Sequence, residues 1–165
     1  MNEASFWTDR LRPALVADCQ KLKLRHHFER VENAVAVGTP DVDYCVAGVA
    51  GKIELKFAPR HPVRQATPVL GRGNGLRRSQ IVWTSRRTWA GGIVFIAIGT
   101  PEMTWVIDAR GRSPVDLARL EALSAPGLGE ISAWCGVHLV GSYLPLTLID
   151  ERPVGPEFQG RSVGP

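Results

Sequence analysis

Apolar residues recur near the start of the chain at steps of three to five: Phe6, Leu11, Leu15, Cys19 and Leu22. That spacing gathers them on one face of a helix and predicts one over residues 6–24. Pro13 falls inside the run, either in a first helical turn or as a break between two segments. Residues 28–37 read as extended, with Phe28, Arg30, Glu32 and Ala34 on one face and Glu29, Val31, Asn33 and Val35 on the other. Gly38-Thr39-Pro40 is a turn signal. A short strand is expected over 42–46, a hairpin turn over 48–51, and a second strand over 51–57, where Ile53, Leu55 and Phe57 alternate with Lys52, Glu54 and Lys56.

The pattern then lapses. Pro59, Pro62, Pro68, Gly71, Gly73 and Gly75 exclude a long regular element from 58–76, and a loop of that length in a compact domain is usually functional or disordered. A helix is expected over 76–89, with Leu76, Gln80, Trp83 and Arg87 in one stripe and Ile81, Ser85 and Trp89 in its neighbour; Gly91-Gly92 ends it. The unbroken apolar run 93–98 reads as a buried central strand, and 103–107 as its antiparallel neighbour. Ser113 as cap, Pro114 at the first position and Asp116 in the first turn predict a helix over 114–123. Residues 131–140 suit a helix or a strand. The Pro- and Gly-rich stretch 151–165 reads as an irregular tail after a single domain over 1–150.

Composition narrows the classes. A chain of 165 residues, 44% of them hydrophobic, suits one domain with a real core. The three cysteines, Cys19, Cys45 and Cys135, are far apart and fit neither a disulfide scaffold nor a zinc cluster. The N-terminus carries early acids and no signal-type apolar core, and the longest apolar stretch, 91–99, is too short to span a bilayer. A soluble cytoplasmic protein with no membrane partner and no organic cofactor is expected. The net charge of +4 and pI near 9.3 permit a nucleic-acid partner.

The distribution of charge says more than its sum. From Phe57 to Pro101 there is no Asp or Glu, while Arg60, Arg64, Arg72, Arg77, Arg78, Arg86 and Arg87 all fall there, with His61 among them. Arginine presents a rigid fork of donors matched to phosphate oxygens. The Pro- and Gly-rich part of the stretch reads as a mobile basic loop able to order on a nucleic-acid backbone. Just before it, Asp41 follows the Gly-Thr-Pro turn, and Glu54 and Lys56 lie two apart on a strand, so their side chains share a face. A hairpin between the two strands brings Asp41 beside Glu54. Two carboxylates and the Leu55 backbone carbonyl between Glu54 and Lys56 offer hard oxygen ligands suited to Mg2+ or Mn2+. Lys56 beside them can orient an attacking water or neutralise phosphate charge. Asp43 shares the strand face of Asp41. Most of the five tryptophans are expected in the core; one or two on the 76–89 helix can instead serve a dimer face or stack on an exposed base.

Gly38-Thr39-Pro40-Asp41 followed by Ile53-Glu54-Leu55-Lys56 resembles the PD-(D/E)xK nuclease superfamily, more narrowly the small phage and bacterial VRR-type nucleases and the Holliday-junction resolvase-like branch. The resemblance covers roughly residues 29–98. It implies a restriction-endonuclease-like α/β core: a helix, a mixed and largely antiparallel central sheet carrying the Asp and the Glu-x-Lys, and a helix packed after it. It implies that Asp41 and Glu54 hold the metal and that Lys56 is the catalytic lysine. It matches Gln80 to a glutamine that contacts substrate or supports the lysine or water. It also implies a further upstream acid, with Glu32 as first choice and Glu29 or Glu3 as alternatives. The expectation that follows is a Mg2+- or Mn2+-dependent endonuclease acting on DNA, structure-selective on branched DNA or weakly sequence-specific. A homodimer would match the two scissile strands of a symmetric junction. The rival readings are a non-catalytic DNA-binding module and a structural phage protein with a decayed nuclease core.

Overall fold

A strand buried on both faces needs cover on both, and the chain supplies it with helices from its two ends. The computed structural model describes residues 1–31, 37–132 and 134–135. Glu32, the 151–165 tail and most of the ambiguous 131–140 segment lie outside them. The N-terminal helix runs as α1 (Glu3–Phe6), a π turn (Trp7–Leu11) and α2 (Arg12–Lys21). It starts earlier than the pattern predicts, because Asn2 caps it: its Oδ1 accepts the Ser5 N–H at 2.9 Å. Pro13 stands in the first turn of α2, and the widened turn before it accommodates the missing N–H. Helix geometry ends at Lys21, so Leu22 is exposed and Leu24 packs on the core in its place.

The sheet order is β1 (His26–Arg30), β2 (Val42–Val46), β3 (Val49–Phe57), β4 (Ile93–Gly99), β5 (Thr104–Asp108) and the two-residue β6 (Trp134–Cys135). Among the described strands only the β3–β4 pair is parallel; the other neighbours are antiparallel. The architecture is therefore α/β with a mixed, largely antiparallel sheet. The β2–β3 turn is shorter and earlier than predicted. Ala47 and Gly48 form it with φ of 51° and 86°, both in the left-handed region that a two-residue hairpin of the matching twist requires. Gly51 instead lies inside β3, under the Tyr44 ring.

One sheet face packs Phe6, Trp7, Leu11, Leu15 and Cys19 of the N-terminal helix on Val42, Tyr44, Ile53, Leu55, Phe95 and Ala97. The opposite face packs Val94, Ile96, Ile98, Trp105 and Ile107 under α4 (Pro114–Arg119), the 3-10 turn Leu120–Ala122 and α5 (Ala125–Ile131). The capped helix at Ser113 is present, about one turn shorter in α form than the predicted span because its end tightens to 3-10 geometry. The helix α3 (Arg78–Trp89) lies on this second face within the β3–β4 crossover. No described helix is long and apolar enough to cross a membrane.

Candidate active site

The β2–β3 register builds the site. Its rung farthest from the turn pairs Val42 with Ile53. Two residues further, Pro40 would face Leu55, but proline has no N–H to give the Leu55 carbonyl, and β2 does not extend there. Asp41 takes over: its Oδ2 accepts the Leu55 N–H at 2.9 Å. A residue's N–H and C=O leave an antiparallel strand on the same edge. The Leu55 carbonyl therefore faces the Asp41 side as well.

Glu54 and Lys56 point to the opposite face of β3 from Ile53 and Leu55, beside the apolar row of β4, and both are buried. Lys56 Nζ donates to Glu54 Oε1 at 2.7 Å. Gln80 Nε2 donates to the same oxygen. The other end of Gln80, Oε1, accepts the Arg77 N–H at 2.8 Å, one of the donors left free at the start of α3. The turn before Asp41 seats this helix. Gly38 has φ +92°, and a Cβ there would lie 2.5 Å from the Ser79 carbonyl oxygen, so only a glycine lets the turn and the head of α3 touch.

Burial pushes the Glu54 carboxyl up, to about 7; the Lys56 charge and hydrogen bond pull it down, while Asp41 and Glu3 push it further up. Its Oε2 is buried with no hydrogen-bond partner. A buried carboxylate oxygen without a donor is costly unless a cation or water meets it. Among the described residues no group of three or more His, Cys, Asp and Glu is arranged to hold a metal ion. The site offers two carboxylates, Asp41 and Glu54, and the Leu55 carbonyl. That set fits Mg2+ or Mn2+, since Mg2+ keeps several waters and is commonly bound through one or two carboxylates.

The structure thus brings together Asp41, Glu54, Lys56 and Gln80. Of the candidates for a further acid, Glu3 arrives: its Oε1 lies 3.8 Å from Lys56 Nζ. Glu29 does not. It sits on the outer strand β1, exposed, with Oε2 3.5 Å from His27 Nε2. Glu32 lies outside the described residues. Asp43 is not in the site; it pairs with Lys52 across the β2–β3 ladder at 2.6 Å.

All seven arginines are exposed, and among the described residues none of them forms an ion pair. Arg77 and Arg78 stand at the head of α3, beside Gln80, while Arg86 and Arg87 lie in its last turn. Arg60, Arg64 and Arg72 ride on the loop. That loop has no long element, as expected, and it is anchored to the fold at several points. Val69 and Leu70 are buried under the helical layer, the Val69 N–H donates to the Leu123 carbonyl at 3.0 Å, and the Gly73 N–H donates to Glu121 Oε2 at 2.9 Å. His61 stacks on Trp105 with its Nδ1 3.1 Å from Thr100 Oγ1. Two apolar residues suffice to pin a chain whose arginines face water.

No local pattern marks Arg10. Its guanidinium bonds the carbonyls of Thr100, Pro101 and Glu102 at 2.5 to 2.8 Å and ties the N-terminal helix to the β4–β5 turn. Its partners are about ninety residues away in sequence, so no local pattern could reveal it. Arg10 is one of the contacts that set where Glu3 falls.

No protein-family model matches the chain, and no curated protein matches its sequence. Among solved structures, Hjc of Archaeoglobus fulgidus, a Holliday junction resolvase from an archaeal hyperthermophile, is similar over 80% of this chain and 94% of that one. The identity is 16% and the TM-score 0.44, so the chemistry has to be argued from the side chains themselves.

Proposed function

We propose that the protein is a divalent-metal-dependent nuclease of the PD-(D/E)xK type that hydrolyses phosphodiester bonds in DNA, selective for branched structure or weakly specific in sequence. The observation that carries this reading is Glu54. It is a buried carboxylate whose Oε1 is held by Lys56 and Gln80, whose Oε2 is without a partner, and which has Asp41 on the adjoining strand edge. Asp41, Glu54 and the Leu55 carbonyl would hold Mg2+ or Mn2+, which supplies Lewis-acid charge to the scissile phosphate and the attacking water. Lys56, beside Glu54, would orient that water and offset the negative charge on the phosphoryl oxygens as the P–O bond to the leaving sugar oxygen breaks. Gln80 holds Glu54 in one rotamer. Glu3 lies on the other side of Lys56 Nζ and is the further acid that the described residues offer; Glu32 lies outside them. The seven exposed arginines hold the phosphate backbone, and contacts of that kind fix orientation without reading bases. A two-fold dimer would present two such centres to a symmetric junction.

The test is a cleavage assay with Mg2+ or Mn2+ on linear, flapped and four-way DNA, with Asp41→Asn and Lys56→Ala beside the parent. Metal-dependent cutting by the parent and its loss in both variants is expected. Equal activity in all three would sink the assignment.

A further inference from the structure

The surface of α3 away from the sheet carries a feature that the active centre does not use. A groove starts at Val37 and Arg78, next to the Gly38–Ser79 contact, and runs along the helix past Val82, Trp83, Arg86 and Arg87. Arg86 borders a second groove as well, and that one holds Trp89. Trp89 is 91% exposed, Val37 79% and Val82 42%. A tryptophan so placed contributes almost nothing to the fold, although its ring can bury roughly 150–250 Å2 against a partner. The helix is 12 residues long, so the track extends about 18 Å from the head of α3, where Gln80 meets Glu54.

Three kinds of occupant would meet this surface differently. A second copy of this chain would set Arg78, Arg86 and Arg87 against the same three residues, and α3 has no acid to compensate; like charges juxtaposed in this way cost several kcal/mol. A DNA duplex satisfies the arginines but hides its base faces and leaves the exposed valines and Trp89 without a partner. An unpaired strand satisfies both. Its phosphates meet the arginines, and its free base faces meet the apolar floor and the indole.

We propose that a single-stranded DNA segment leaves the active centre along the first groove and passes Arg86 into the second, with one base stacked on Trp89. The substrate class is then duplex DNA with an unpaired arm or unstacked bases beside the cut. This rests on the nuclease reading for the identity of the polymer, and its test is separable from it. Labelled duplex, and the same duplex with a single-stranded oligothymidine arm, are titrated into the full chain without divalent metal. The parent is expected to bind the armed duplex more tightly. Trp89→Ala loses that gain, a weakening of roughly 5- to 100-fold, with duplex affinity and melting temperature unchanged. Trp89→Phe keeps most of it. An arm that adds nothing to the parent's affinity overturns the proposal, as does Trp89→Ala binding the armed duplex like the parent. If the duplex is nevertheless bound and cut with metal, the nuclease reading stands alone; if neither DNA is bound, both fall. A change from dimer to monomer in Trp89→Ala by sedimentation would assign the surface to a second copy instead.

Discussion

Asp41 Oδ2 accepts the Leu55 N–H at 2.9 Å, so a side chain fills the rung at which β2 stops. Pro40 and Asp41 act as a pair: one withholds a donor from the Leu55 carbonyl, the other supplies an acceptor to the Leu55 amide. An asparagine keeps the acceptor and discards the charge. Asp41→Asn should therefore melt close to the parent while cleavage falls roughly 100-fold or more. Asp41→Ala should lose activity and about 1–3 kcal/mol of stability as well, because the amide is left without a partner. Melting curves and single-turnover rates on the same preparations check both. An active Asp41→Asn would remove Asp41 from the metal set.

Stability without metal should fall as pH rises. Glu54 titrates near 4.5 as an ordinary glutamate and at about 7 in the folded chain. Between those values the folded state holds a proton that the unfolded state has released, so ΔG of unfolding declines with pH across that window. The favourable contribution is complete below pH about 4.5 and gone above about 7, and amounts to a few kcal/mol at most. A divalent ion needs the carboxylate ionised, so adding Mg2+ should raise the melting temperature more at pH 8 than at pH 5 and release protons near neutrality. Denaturant titrations across pH, with and without Mg2+, measure this; a flat profile would contradict the buried, partly orphaned carboxylate.

Gln80 joins the head of α3 to Glu54. Gln80→Ala should cost about 1 kcal/mol through the lost helix-start contact at the Arg77 amide, and should weaken metal binding by releasing Glu54. Gln80→Glu can still accept from Arg77 but places a second carboxylate against Glu54, so the apparent pKa of Glu54 should rise further and metal affinity fall at pH 7. Calorimetry with Mn2+ separates the two effects. Identical metal affinity in all three proteins would reduce Gln80 to a capping residue.

The loop arginines should act through salt. Arg60→Ala, Arg64→Ala and Arg72→Ala remove exposed groups and should leave the melting temperature within error. Each that contacts a phosphate should lower the slope of log K against log[salt] by roughly 0.9 on duplex DNA. Anisotropy titrations over a salt series give the slope; three unchanged slopes would place the DNA elsewhere.

Much of this was legible in the chain itself. The period-two run around Glu54 and the unbroken apolar run of β4 located both strands, because a half-buried and a fully buried strand leave different patterns. The Gly-Thr-Pro turn marked Asp41. What stayed hidden was tertiary. The exact hairpin turn moved to Ala47-Gly48, since backbone twist outweighed the glycine preference at 51. Glu3 and Arg10 act across long sequence separations, and a helical pattern cannot say which strand end lies opposite its first turn. The anchoring of the basic loop by Val69 and Leu70 was masked by the prolines and glycines around them. Glu32 falls outside the described residues, so the first choice for the further acid gains no support from the fold.

Phe6 and Leu11 stand five residues apart. In an ordinary α-helix those residues would diverge by about 140°; the surplus residue in the turn Trp7–Leu11 brings both onto the core. The turn acts as a phase shifter. Forcing that turn into ordinary α geometry at its present length would leave Leu11, Leu15 and Cys19 in place but rotate everything before them by about 100°, carrying Glu3 off Lys56. The geometry of this one turn is therefore felt at the lysine as a rotation.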